Sequence, residues 1–124
     1  MGTATGTCNS WKKNVEVHVI QSVLHMHKTG SHMKTVINRA AGGTDILVDQ
    51  PFVFNDQRSY PINVTIKPND TMTTTCTFQN PTSASISFGT STTAEMCYNF
   101  VVYYPAHALD GVGGIEGSKN MCLF

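Results

Sequence analysis

The chain has 124 residues, a formal net charge of zero from 8 Lys+Arg against 8 Asp+Glu, and only 13% charged residues. That length suits one domain able to bury its own core, so 1–124 reads as a single domain with no room for a second of full size. The charge balance offers no basic excess to grip phosphates, which excludes nucleic acid as a partner. No apolar run approaches the 18 residues of a membrane-spanning helix.

Four cysteines make an even count, with no Cys-x-x-Cys. That fits two disulfides and an oxidising, secreted or extracytoplasmic location better than a zinc ribbon. Met1 to Thr7 is small and polar and is not a signal peptide, so a mature product or a piece of a longer precursor is expected. Asn63-Val64-Thr65 and Asn69-Asp70-Thr71 match the N-glycosylation acceptor, a pattern common by chance.

In chain order, Val15 to His27 is β-branched and alternating and reads as a strand. A regular strand would put Val15, Val17, Val19, Gln21, Val23, His25 and His27 on one side, and His18 and Met26 on the other. Met33 to Ala40 and Thr44 to Asp49 flank Gly42-Gly43, a tight hairpin turn. Phe52-Val53-Phe54 is a short strand or an apolar loop. Tyr60 to Lys67 alternates with Ile62, Val64 and Ile66 on one face, and Pro68-Asn69-Asp70 is a turn. Met72, Thr74, Cys76 and Phe78 share a face of the next strand, which Asn80-Pro81 breaks. Ala84 to Phe88 is a short strand, and Glu95 to Tyr104 is the last strong one, closed by Pro105. From Ala106 the chain turns Gly-rich and is expected to wander over the surface. Seven or eight strands with no convincing helix predict an all-β fold, an antiparallel β-sandwich of jelly-roll type.

His25-Met26-His27 is the sharpest chemical feature. On a strand, side chains two apart point the same way, about 6.5–7 Å from one another, so two imidazoles can reach one metal ion. A third ligand must come from elsewhere: His18, His32, His107, a carboxylate or one of six methionines. Surface or packing histidines are the plain alternative, and methionine is more often core filler than ligand.

Three segments in register carry a wider likeness. Leu24-His25-Met26-His27-Lys28-Thr29-Gly30 resembles the His-x-His-x-x-Gly segment of the copper type II, ascorbate-dependent monooxygenases, the family of dopamine β-monooxygenase and peptidylglycine α-hydroxylating monooxygenase. Ile66-Lys67-Pro68-Asn69-Asp70 followed by Thr75-Cys76-Thr77-Phe78 resembles the family's Pro-Gly-Asp turn and Cys strand. Glu95-Met96-Cys97 through Tyr103-Tyr104-Pro105 resembles its Glu-Met-Cys strand.

The likeness is to the second, C-terminal copper domain, and covers about Cys8 to Pro105. It implies one copper held by His25, His27 and Met96, with dioxygen bound at that copper and ascorbate supplying electrons to hydroxylate a substrate C–H bond. Two imidazoles and a soft thioether suit Cu(I). The family pattern also implies disulfides Cys76–Cys97 and Cys8–Cys122, the first bracing the strand that carries the methionine. His18, His32 and His107 are scattered, so the chain lacks the three-histidine first copper domain and is expected to need a second copper domain for coupled turnover.

The likeness also bears on substrate. The amidating branch has an arginine two residues before the first histidine and a tyrosine four after the methionine; here these are Val23 and Phe100. Peptide C-terminal glycine is therefore a poor substrate candidate, and the Tyr-Tyr-Pro ending points to a small amine or aromatic molecule. A free-standing copper-binding protein for storage, transport or redox work at the same His2Met site is the competing reading. A structural sandwich without metal is the third.

Overall fold

The computed structural model describes residues 2–8 and 15–105. They form seven strands: β1 (Gly2–Cys8), β2 (Val17–Met26), β3 (Gly30–Asn38), β4 (Thr44–Pro51), β5 (Ser59–Ile66), β6 (Thr71–Phe78) and β7 (Cys97–Tyr104). No described residue is helical. Every strand pairing is antiparallel, in a four-stranded sheet ordered β1-β6-β3-β4 and a three-stranded sheet ordered β5-β2-β7.

The alternating sequences make one face of each sheet apolar, and these faces share one core. Val17, Val19, Leu24 and Met26 of β2 and Ile66 of β5 are buried with Met33 and Ile37 of β3, Leu47 and Val48 of β4, and Met72 and Cys76 of β6. Burying each larger side chain contributes about 1.5–3 kcal/mol. A buried polar chain also links the two sheets. Ser22 on β2 donates its hydroxyl to the Asn99 carboxamide oxygen on β7, and Asn99 Nδ2 donates to Thr35 Oγ1 on β3 at 3.0 Å. Thr35 Oγ1 in turn lies 2.8 Å from Thr74 Oγ1 on β6. Satisfied in this way, these groups fix the register of the two sheets instead of weakening the core.

The Cys76–Cys97 disulfide joins β6 to β7 and so crosses from one sheet to the other. The Cys8–Cys122 pairing, His107 and the Gly-rich tail lie outside what the structure describes. The Gly42-Gly43 turn is present, with both glycines at positive φ (112° and 79°), the conformation that needs no Cβ. Asn69 takes the left-handed conformation (φ 71°) in the turn before β6.

Two expectations about strand bounds need correction. Ala84 to Phe88 is not a strand; only an isolated parallel bridge pairs Phe88 with Glu95. The last strand begins at Cys97, two residues later than its apolar pattern suggested, because Glu95 and Met96 lie beyond the ladder. Small, polar Gly2–Cys8, to which the sequence assigned no element, is an edge strand along β6, where Thr5 and Thr7 hydroxyls meet those of Thr75 and Thr73.

The largest correction concerns β2. A bulge between Val19 and Gln21 interrupts its pairing with both neighbours. One extra residue shifts the side-chain phase. Val17 and Val19 face the core before the bulge, and Ser22, Leu24 and Met26 after it. His25 therefore parts company with Val17 and Val19 and turns outward. His18, expected on the opposite face, also points outward and stacks on Tyr104 with ring centroids 4.6 Å apart.

Candidate metal centre

His25 is the last outward-facing residue of β2, and His27 follows the strand's end. Their rings meet edge to face with centroids 5.3 Å apart, so the structure brings this expected pair together. His27 is 4% exposed and His25 only half-buried.

The hydrogen bonds specify which nitrogens remain free. His27 Nδ1 lies 3.1 Å from the Ala94 carbonyl oxygen, which can only accept, so Nδ1 carries the proton and Nε2 keeps its lone pair. His25 Nδ1 lies 3.0 Å from Gln57 Oε1. Gln57 Nε2 donates to the Phe54 carbonyl oxygen, which fixes the amide's orientation and leaves Oε1 as the acceptor. Both histidines are thus held in the tautomer that presents Nε2. Pinning one ring nitrogen so that the other is free for a metal is the usual arrangement around ligating histidines.

Aromatic groups surround the pair. Phe54 lies edge-on to His27 at 6.3 Å, Phe100 lies 6.0 Å from His25, and Tyr98 lies 5.6 Å from Phe100. On the outer face of the sheet His25 pairs with Tyr98, and Val23 with Phe100. The positions occupied by Val23 and Phe100 thus sit opposite one another, one step along the ladder from His25, and form an apolar pair. Further along the same face Val102, Tyr104 and Ile20 are exposed.

Met96 lies one residue beyond the final β2–β7 pair, Met26 with Cys97, where continued register would set it opposite His27. It is half-buried. Of the other candidate ligands, His32 Nε2 lies 2.7 Å from Asp49 Oδ1 on β4's side of the four-stranded sheet, and His18 is bonded to Thr65 at 3.0 Å. Among the described residues no group of three or more His, Cys, Asp and Glu side chains could hold a metal. A third protein ligand beside the two imidazoles would therefore have to come from another residue type, and a thioether with two neutral nitrogens is a donor set that favours copper over harder ions.

Glu95 is the residue of this site whose role the sequence did not disclose. It is buried, and both oxygens accept hydrogen bonds. Oε1 receives the backbone N–H of His27 at 2.7 Å and that of Met96 at 3.0 Å. Oε2 receives the backbone N–H of Thr29 at 2.9 Å and its hydroxyl at 2.7 Å. Burial alone would push this carboxyl's pKa up, but the hydrogen bonds from Thr29, His27 and Met96 outweigh it and hold the pKa below the usual value. A charged residue directly before Met96, in a chain with so few charges, was the available signal.

Comparison with known proteins identifies the family. Residues 2–111 match the family model described as copper type II ascorbate-dependent monooxygenase, C-terminal domain. The chain is 32% identical to bovine dopamine beta-hydroxylase over 76% of its own length and 16% of that protein's. It is 31% identical to human DBH-like monooxygenase protein 1 over 72% of its length and 15% of that protein's. Identity to the tyramine beta-hydroxylase of Caenorhabditis briggsae is 29%, over 76% and 17%. The chain thus spans about a sixth of the length of these relatives. It belongs to the copper type II ascorbate-dependent monooxygenases, and the part of that family it matches is the C-terminal domain.

Proposed function

We propose that this chain is the dioxygen-activating copper domain of a monooxygenase, with one copper held by His25, His27 and Met96. The observation that carries this is the tautomer control at both histidines, which leaves Nε2 free on two rings whose centroids lie 5.3 Å apart. Copper bound there would supply one-electron redox chemistry and dioxygen activation for C–H hydroxylation, with ascorbate as the reductant. The protein's own part is positional. Gln57 and the Ala94 carbonyl orient the rings, and Phe54, Tyr98 and Phe100 give the pair aromatic neighbours.

The apolar Val23–Phe100 pair beside His25 supports a small aromatic or amine substrate over a carboxylate-bearing one, since no cation is supplied at either position to hold a carboxylate. Coupled turnover draws on a second copper domain, consistent with the small share of each relative that this chain covers. The Cys76–Cys97 bridge supports a secretory-pathway location. No helix among the described residues is long and apolar enough to cross a membrane. We assign the two sheets to a jelly-roll-type sandwich, closed by a second bridge between Cys8 and Cys122.

Cu(I) titration with X-ray absorption tests the site. Wild type should take one copper with two nitrogen ligands and one sulfur, and the sulfur should vanish in Met96→Ala. His25→Ala should cost more affinity, because an imidazole binds more tightly than a thioether. A sulfur scatterer that survives Met96→Ala would remove Met96 from the ligand set. Failure of wild type to bind stoichiometrically would remove the site altogether.

A further inference from the structure

The β2–β7 ladder stops at Met26 and Cys97, one residue short of both His27 and Met96. Past that point no backbone rung holds the two segments at a fixed separation. The His27 ring reaches across to the Ala94 carbonyl, and Glu95 supplies the connection between the two backbones. A single oxygen, Oε1, accepts the backbone N–H of both His27 and Met96, and the other oxygen grips Thr29 two residues after His27. Glu95 is itself anchored from the far side. Its backbone N–H donates to the Ser87 carbonyl at 2.9 Å, and its carbonyl accepts from Gly89 at 3.1 Å.

We infer that Glu95 is the positioning residue of the metal site: a carboxylate clamp that sets the distance between His27 and Met96, and so decides whether the thioether reaches a metal held by the two imidazoles. The inference rests on the His25, His27 and Met96 assignment above. A carboxylate that merely closed a loop would need only one of these bonds. Here the shared acceptor joins the two residues whose side chains must converge. Glu95 is buried, 8% exposed as a residue, so water is poorly placed to replace it as the common acceptor. An amide in its place keeps one oxygen but turns an NH2 group toward N–H or O–H donors. Glu95→Gln therefore either loses the shared acceptor of His27 and Met96 or keeps it as a neutral, weaker one that Thr29 no longer anchors.

The test is Cu(I) titration with X-ray absorption on wild type, Glu95→Gln and Thr29→Val, with amide exchange of His27, Thr29 and Met96 followed in parallel. Glu95→Gln should lower Cu(I) affinity about 10- to 100-fold, the range typical for groups that orient ligands. It should also lose the sulfur scatterer while keeping both imidazoles, a selective change that general destabilisation would not produce. Thr29→Val removes one bond to Oε2 and should weaken binding about three- to tenfold. If Glu95→Gln does not fold, Thr29→Val decides: unchanged affinity overturns the clamp, a drop supports it. Wild-type copper coordination retained in a folded Glu95→Gln overturns the clamp and leaves the ligand assignment standing. Absence of sulfur from wild type itself overturns the ligand assignment, and the clamp with it.

Discussion

Replacing Cys76 and Cys97 together by alanine removes the covalent link between β6 and β7, and its cost follows from the chain length between them. The two are 21 residues apart in sequence. Opening a loop of that size returns loop-closure entropy to the unfolded chain worth about 3 kcal/mol at 25 °C. The lost sulfur atoms add little, since alanine leaves only a small void at Cys76. In a domain of this size 3 kcal/mol corresponds to a fall in Tm of roughly 10–20 °C. The assay is urea unfolding of the double variant and wild type, with the remaining cysteines in the same redox state in both. The midpoint should fall, and the denaturant slope should rise, because the unlinked chain exposes more surface when unfolded. A loss below about 1 kcal/mol with an unchanged slope would refute the entropic account and show that the unfolded chain is already compact around this pair.

Two further perturbations have signs fixed by the structure. Asp70 accepts from Arg39 at 2.8 Å and from the backbone N–H groups of Ala40 and Lys67, both at 2.9 Å. Burial pushes its pKa up, but the Ala40, Lys67 and Arg39 bonds prevail and hold it below the ordinary value. Its stabilisation is therefore complete above about pH 4 and lost as pH falls through the folded value. Asp70→Asn should cost about 1.5–3 kcal/mol near neutrality and shrink the acid-side loss in Tm measured against pH; an unaltered acid limb would refute this. In Gly30→Ala the new Cβ would lie 2.5 Å from Cβ and 2.9 Å from the sulfur of fully buried Met26. Thermal unfolding should report a loss of about 1–3 kcal/mol, and a variant as stable as wild type would contradict the close approach.

Most of the sheet structure was legible because inward residues alternate without interruption. Ile62, Val64 and Ile66 on β5 and Met72, Thr74 and Cys76 on β6 keep one phase from end to end, and the burial follows it. The paired glycines named their turn for a steric reason. β2 escaped this logic because a bulge leaves no mark in hydropathy: Ile20, 48% exposed, looks like another core residue. The pairing of His25 with His27 survived the error, since both lie beyond the bulge and keep their own two-residue spacing. β1 was missed because its threonines bond to those of β6 through hydroxyls, not through apolar burial. Glu95 was visible as a residue but not as a clamp. Its function lies in accepting bonds from backbone N–H groups 68 residues away and one residue away, and backbone donors carry no signature in side-chain identity.

The bulge also separates folding from chemistry on a single strand. After it, the inward residues Ser22, Leu24 and Met26 hold the sandwich together, while the outward Val23 and His25 face Phe100 and Tyr98. Truncating an outward side chain removes no core contact, so a fall in copper affinity in His25→Ala would report on the proposed ligation. His27 differs, because it is buried and its ring bonds to the Ala94 carbonyl. Its truncation would combine loss of a proposed ligand with a half-buried carbonyl left without its partner. Under the proposed ligand set, His25 is therefore the position at which metal binding can be tested while the fold is kept. It provides the reference against which the other ligand variants are compared.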